Sequence, residues 1–185
     1  DLTSITLSPS LTSLGESCFW GCTSLASITI PSSVTSLGEE CFAECNALAS
    51  VTLSSSLETV EDYCFENCNS LATITIPSSV TSLGEGCFEG CSSLATMYFE
   101  GNNPQGIGEA SIATTCIIYV LDEYLQNYKD ALGAEYNINT WIPEGEGGGD
   151  DKPEVKCATP TISYEAGKLM FACDTEGAKY HYTIS

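Results

Sequence analysis

The chain has 185 residues, 43% of them apolar and 16% charged, with a formal net charge of −20 and no arginine. That balance excludes a wholly disordered chain, and the lack of any apolar run near ~18 residues excludes a membrane-spanning helix. All five lysines stand at Lys129 or later, so residues 1–128 carry carboxylates and no basic side chain; such a field repels nucleic acid and anionic membrane surfaces, and no salt bridge can form within that stretch.

From Asp1 onward there is no initiator methionine, basic stretch or apolar leader, so no secretory signal is read in this chain. The sequence then repeats every 23 residues. Leu2, Leu25, Leu48, Leu71 and Leu94 form one column, followed by Ile5, Ile28, Val51, Ile74 and Met97, then Leu7, Ile30, Leu53, Ile76 and Phe99. Further columns are Leu11, Val34, Leu57 and Val80; Leu14, Leu37, Val60 and Leu83; and Phe19, Phe42, Phe65 and Phe88. Two more hold cysteine: Cys18, Cys41, Cys64 and Cys87, and Cys22, Cys45, Cys68 and Cys91.

Around Ser27 the pattern has period two. Ile28 and Ile30 point one way, Ser27 and Thr29 the other, and Pro31 ends the strand because it has no N–H for a ladder. The stretch from Leu37 to Cys45 has short helical spacing, with an acid near each start (Glu16, Glu39, Asp62, Glu85) where exposed N–H groups favour negative charge. Each repeat therefore reads as one strand plus one short helical or 3₁₀ arc. One repeat cannot order its own backbone with so few apolar side chains, so the repeats must stack. Stacking turns each column into an inner ridge and pairs the strands into a parallel sheet at about 4.8 Å per coil.

Residues 25–45, LASITIPSSVTSLGEECFAEC, and 71–91, LATITIPSSVTSLGEGCFEGC, resemble the repeats of the BspA-like family of leucine-rich repeat proteins, which carry an LxxLxxIxIPxxVxxIxxxAFxxC-type pattern. The resemblance covers residues 1 to about 101. It implies an α/β solenoid, mainly β: a right-handed leucine-rich repeat with a parallel sheet, short arcs and a C-terminal cap. It also implies a surface-exposed interaction or adhesion protein of bacteria living in gut and mouth, hence an extracellular, cell-surface location.

The cysteine before each phenylalanine departs from the family's alanine. Since one small residue replaces another, the eight repeat cysteines read as free thiols packed inside the coil, behaving as small hydrophobes. Zinc would want CxxC pairs or histidine partners, and the single histidine, His181, lies in another module. Cysteines four apart in one turn rarely meet disulfide geometry, and bonds between neighbouring coils are the arrangement the spacing leaves open.

The repeat breaks at Gly101-Asn102-Asn103-Pro104. The strand Cys116 to Val120 and a following helix, with Asp122 as N-cap, Leu125, Tyr128 and Leu132 on one face and Gly133 as stop, resemble the family's C-terminal cap. Leu121 stands where that cap commonly has proline. Trp141 is expected to close the cap. The domain reading is thus 1–143 as solenoid, with four full repeats, a fifth partial one and a cap over 102–143, then 144–156 as flexible linker and 157–185 as a partial β module. In that module Glu165 opposite Lys168 across Ala166-Gly167 makes a small antiparallel tail, and Tyr180, Tyr182 and Ile184 continue its alternation. It resembles the opening strands of short β-sandwich modules on such surface proteins.

For function, one histidine, no arginine and no Ser/His/Asp or Cys/His set within a module lead to no enzyme, no cofactor and no metal. What the repeat offers is surface. Ser27, Thr29, Ser50, Thr52, Thr73 and Thr75, with Tyr98 at the end, form a hydroxyl array on the exposed sheet face, although strand propensity and solubility also favour these residue types. Trp20 is the aromatic anchor on the arc side. The expected partner is a protein, such as a host extracellular or surface protein, with no nucleic acid and no membrane insertion. Its contact is expected to be basic and its binding weakened by salt. Self-association at the N-terminal edge or through the β tail is a further expectation. Carbohydrate binding through Tyr98, Trp20 or Trp141, and a passive spacer, are the competing readings.

Overall fold

A computed structural model describes residues 2–103, 107 and 110–142, together with the backbone of 161–165 and 168–172. The chain divides into two units, Asp1–Thr140 and Trp141–Ser185. In chain order the first contains β1 (Ser13–Leu14), β2 (Ser27–Thr29), β3 (Ser36–Leu37), β4 (Ser50–Thr52), β5 (Thr59–Val60), β6 (Thr73–Ile76), β7 (Ser82–Leu83), β8 (Thr96–Phe99), β9 (Ile117–Val120), α1 (Leu125–Leu132) and β10 (Asn137–Thr140). A single 3₁₀ turn, Asp122–Tyr124, leads into α1.

Every pairing in this unit is parallel. β1-β3-β5-β7 form one sheet, β2-β4 a second, and β10-β9-β8-β6 a third. Partners such as Ser13 and Ser36, Ser27 and Ser50, or Thr73 and Thr96 lie directly opposite one another, which is the 23-residue period expressed in space. The coils that begin at Leu25, Leu48 and Leu71 thus each hold two short strands where the sequence led to one. Pro31, Ser54 and Pro77 mark the bend between them, their carbonyls accepting from Val34, Leu57 and Val80 at 3.0, 3.0 and 3.1 Å.

The expected helical arcs take another form. Ser17, Phe19 and Gly21 donate their N–H groups to the carbonyls of Glu39, Cys41 and Ala43 on the next coil, while Trp20 and Cys22 donate three residues back, to Ser17 and Phe19. The pattern repeats in the following coils. Left-handed φ recurs at Ser17 and Gly21, Glu40 and Glu44, Tyr63 and Asn67, Gly86 and Gly90, and this prevents a continuous helix. The arc is therefore a string of 3₁₀-like turns that spends alternate donors on its neighbour.

The apolar columns face inward. Leu25, Leu48 and Leu71, and Val34 and Leu57, are fully buried. The phenylalanines stack as one pile, Phe19–Phe42, Phe42–Phe65 and Phe65–Phe88, with centroids 5.2, 5.4 and 5.6 Å apart and planes within 5° of parallel. The first coil is the exception: Leu2 and Ile5 are exposed, because no described coil lies on that side.

At the other end β9 continues the ladder of β8, and β10 that of β9, with the repeat shortened from 23 residues (Thr96 opposite Ile117, then Ile117 opposite Asn137). β10 lies beyond the reach of the 23-residue period. Tyr128 of α1 is buried, its hydroxyl donating to the Gly101 carbonyl at 2.7 Å beside Phe99. Asp122 is not a helix cap. Tyr124 occupies that position ahead of α1, with no side-chain cap hydrogen bond, and Asp122 opens the preceding 3₁₀ turn instead. Gly133 does end α1, with φ 75° and its N–H on the Lys129 carbonyl.

In the second unit β11 (Thr161–Glu165) and β12 (Lys168–Ala172) pair antiparallel with Glu165 opposite Lys168. Trp141, expected to close the cap, is partly buried and begins this unit. Residues 144–156 and Tyr180, Tyr182 and Ile184 lie outside the described residues.

Candidate functional site

Alternation in the strands sends Ile28, Ile74 and Met97 inward and leaves two rows of side chains outside. One row is Ser27, Ser50, Thr73, Thr96, Ile117 and Asn137; the other is Thr29, Thr52, Thr75, Tyr98, Tyr119 and Asn139. Ser27, Thr29, Ser50, Thr52, Thr73 and Thr75 are all exposed. Parallel in-register pairing sets Ser27 and Thr29 beside Ser50 and Thr52 on one sheet, and Thr73 and Thr75 beside Thr96 and Tyr98 on the next, with β4 and β6 as neighbours between them. It also adds residues that the 23-residue count could not reach, since the shorter spacing of the cap moves Ile117, Tyr119, Asn137 and Asn139 off the columns.

Tyr98 and Tyr119 stack with centroids 5.2 Å apart and planes 14° from parallel. Partial burial, then the neighbouring Tyr119, raises the Tyr98 hydroxyl above its ordinary pKa, so the Tyr98 phenol stays neutral at physiological pH. Asn139 donates its amide to Asn137 at 2.9 Å. None of the outward residues in the two rows is a carboxylate or an amine.

Charge is carried by the arcs. Asn67 bridges Glu44 at 2.8 Å and Glu66 at 3.2 Å, and burial followed by the Glu89, Glu44 and Glu40 carboxylates raises the pKa of Glu66. Asp62, one of the acids assigned to a helix start, instead accepts the N–H of Glu85 on the next coil at 2.8 Å. Trp20 is 58% exposed, remote in sequence from the tyrosine pair. Elsewhere on the arcs Ala43 and Gly86 are buried, and a side chain at Gly86 would run into the Tyr63 ring.

The thiols form two rows. Cys41, Cys45, Cys64, Cys68, Cys87 and Cys91 are buried and free, but Cys18 is exposed and Cys22 only partly buried, because both belong to the uncovered first coil. Cys45, Cys68 and Cys91 donate to the carbonyls of Phe19, Phe42 and Phe65 on the preceding coil at 3.1, 3.3 and 3.0 Å. The second row is thus a hydrogen-bonding column as well as a packing one. Burial pushes the thiols of Cys45, Cys91 and Cys116 up to about 11, and those of Cys64, Cys68 and Cys87 higher. Neutral buried thiols are poor nucleophiles and poor metal ligands.

A family model described as BspA type leucine-rich repeat region, in six copies, matches residues 1–117. The chain belongs to the BspA-type leucine-rich repeat family. Among solved structures it is similar to a leucine-rich repeat protein of T. pallidum, with 24% identity and a TM-score of 0.56 over 72% of this chain and 64% of that one. It is also similar to the pneumococcal vaccine antigen PcpA, with 18% identity and a TM-score of 0.54 over 70% and 40%. A leucine-rich cell surface protein of Faecalibacterium prausnitzii aligns at 25% identity and TM-score 0.48 over 72% and 31%. The BspA-type chain thus spans less than two thirds of each of these proteins, and the first two likenesses show the fold. No curated protein matches it.

Proposed function

We propose that this BspA-type chain is a non-catalytic adhesion module at a bacterial cell surface, which binds a protein partner through the exposed face of its sheet. The observation that carries the reading is the pair of uncharged rows, one of which holds the stacked Tyr98 and Tyr119. Tyrosine gives a large, rigid contact area with a polar tip, and hot spots favour it over the serines and threonines around it. The tyrosine pair is the anchor and the hydroxyl rows are the complementary surround.

The sequence led to a basic contact and salt-weakened binding. Since neither outward row of the sheet face carries a carboxylate, that expectation now attaches to the arc side, and binding through the sheet face should depend little on salt.

The test is a binding panel of immobilised extracellular-matrix and cell-surface proteins against the wild type, Tyr98→Ala, Tyr119→Ala and Trp20→Ala. Loss of about tenfold or more at either tyrosine, with little change in salt, supports the reading. Salt-sensitive binding lost at Trp20→Ala would move the site to the arcs. Trp20 is also the aromatic with the most open surface among the described residues, so hits on a glycan array lost in Trp20→Ala would replace the protein partner with a saccharide, and silence in both assays would leave a spacer.

A further inference from the structure

The sheet β6-β8-β9-β10 ends at β10, which among the described residues has a strand on one side only. The orientation of its backbone follows from hydrogen bonds further in. Thr96 donates to Ala72 and Ile117 to Ala95, so residues whose side chains lie on the exposed face aim their N–H groups toward the preceding coil. By the same alternation Asn137 and Asn139 turn their N–H groups toward β9, and Ile138 and Thr140 turn theirs outward.

Edge strands are normally guarded by lysine, proline, a bulge or a covering element. The run Asn137-Ile138-Asn139-Thr140 pairs residue for residue with β9 and contains no charge and no proline. Inside it, Ile138 completes the buried column of Ile74, Met97 and Ile118. A strand added beside β10 would find outward donors and acceptors at alternate residues and an apolar row to extend.

We propose that β10 is a docking edge for an extended segment of a partner protein, which joins the sheet as its next strand. The inference rests on the protein-binding reading above and specifies its chemistry. Charge selects among occupants. A second copy pairing at this edge brings two chains of net charge −20 together, whereas a neutral or lysine-bearing strand meets an uncharged edge on an acidic molecule. Backbone pairing at β10 would also set the partner's side chains beside Asn139, extending the row that runs on to Tyr119 and joining the edge to the exposed face.

The experiment is amide hydrogen exchange on the full chain, alone and with short lysine-flanked peptides of alternating threonine and valine. The expected result is fast exchange at Ile138 and Thr140 in the dilute chain, slowed at least about tenfold by saturating peptide, with Asn137 and Asn139 changing little. Thr140→Pro removes one outward donor and leaves the β9 ladder in place, so it should weaken the peptide about tenfold or more while Thr140→Ser keeps it. Slow exchange at Ile138 and Thr140 without peptide, no protection with it, or protection that grows with chain concentration alone would each overturn the proposal. If Tyr98→Ala abolishes partner binding and peptide protects nothing, the edge fails while the exposed face stands.

Discussion

Replacing Phe65 by alanine tests whether the stack of coils is held from within. Phe65 is fully buried, with Phe42 on one face at 5.4 Å and Phe88 on the other at 5.6 Å. Truncating a buried phenylalanine costs about 3–5 kcal/mol, and each lost ring pair accounts for about 0.5–1.5 kcal/mol. Phe19 supplies an internal control: it has a single ring partner, at 5.2 Å, and sits in the coil with no described neighbour beyond it. We expect Phe65→Ala to lose about 4 kcal/mol and Phe19→Ala at least about 1 kcal/mol less, read from urea denaturation followed by circular dichroism. A central lesion also interrupts coupling between coils on both sides, so the Phe65→Ala transition should broaden or split. Equal losses at the two positions, or a loss below about 1 kcal/mol at Phe65, would refute the idea that stacked inner columns carry the stability.

Three further predictions follow from the thiols, an arc carboxylate and the cap. Alkylation of the native chain near pH ~8, mapped by mass, should label Cys18 first and Cys22 next among the nine described cysteines, leaving the buried ones unmodified until unfolding. Because the thiols of Cys45, Cys91 and Cys116 rise from 9.0 to about 11, unfolded thiols ionise first; the stability they lend is intact below about pH 9 and is lost as pH climbs through about 11, which alkaline denaturation will show. Glu66→Gln should raise the urea midpoint at neutral pH. The raised carboxyl favours folding when protonated, so the advantage should vanish as acid titrates the wild-type group. Tyr128→Phe removes the hydroxyl bonded to Gly101 and should cost about 1–2 kcal/mol, with exchange accelerated in α1 and β10.

The inner architecture was legible because it depends on chemistry copied every 23 residues: a leucine, isoleucine or phenylalanine column can be read without knowing where the coil bends. The second strand of each coil was not, since Ser13–Leu14 and its copies are two residues long and show no alternation. Nor was the true form of the arc, where left-handed backbone at residues as unlike as Ser17, Glu40 and Tyr63 leaves no shared signal. The candidate face was legible only in part. Tyr98 still falls on a column, whereas Tyr119 and Asn139 join it through a shortened register that only pairing reveals. Cys18 shows a related limit, for a column predicts what a side chain packs against and says nothing about where the stack stops.

The arcs hand their amides in one direction, from Ser17 to Glu39, from Glu40 to Asp62, from Tyr63 to Glu85, and from Phe88 into the cap at Ala110. A spiral wired this way is polar like a chain of hooks and eyes. Whole turns can be gained or lost by tandem duplication or deletion with every hook still meeting an eye, whereas an inverted turn would set like against like. The length of such a molecule is therefore free to drift over generations while its sense of winding is not.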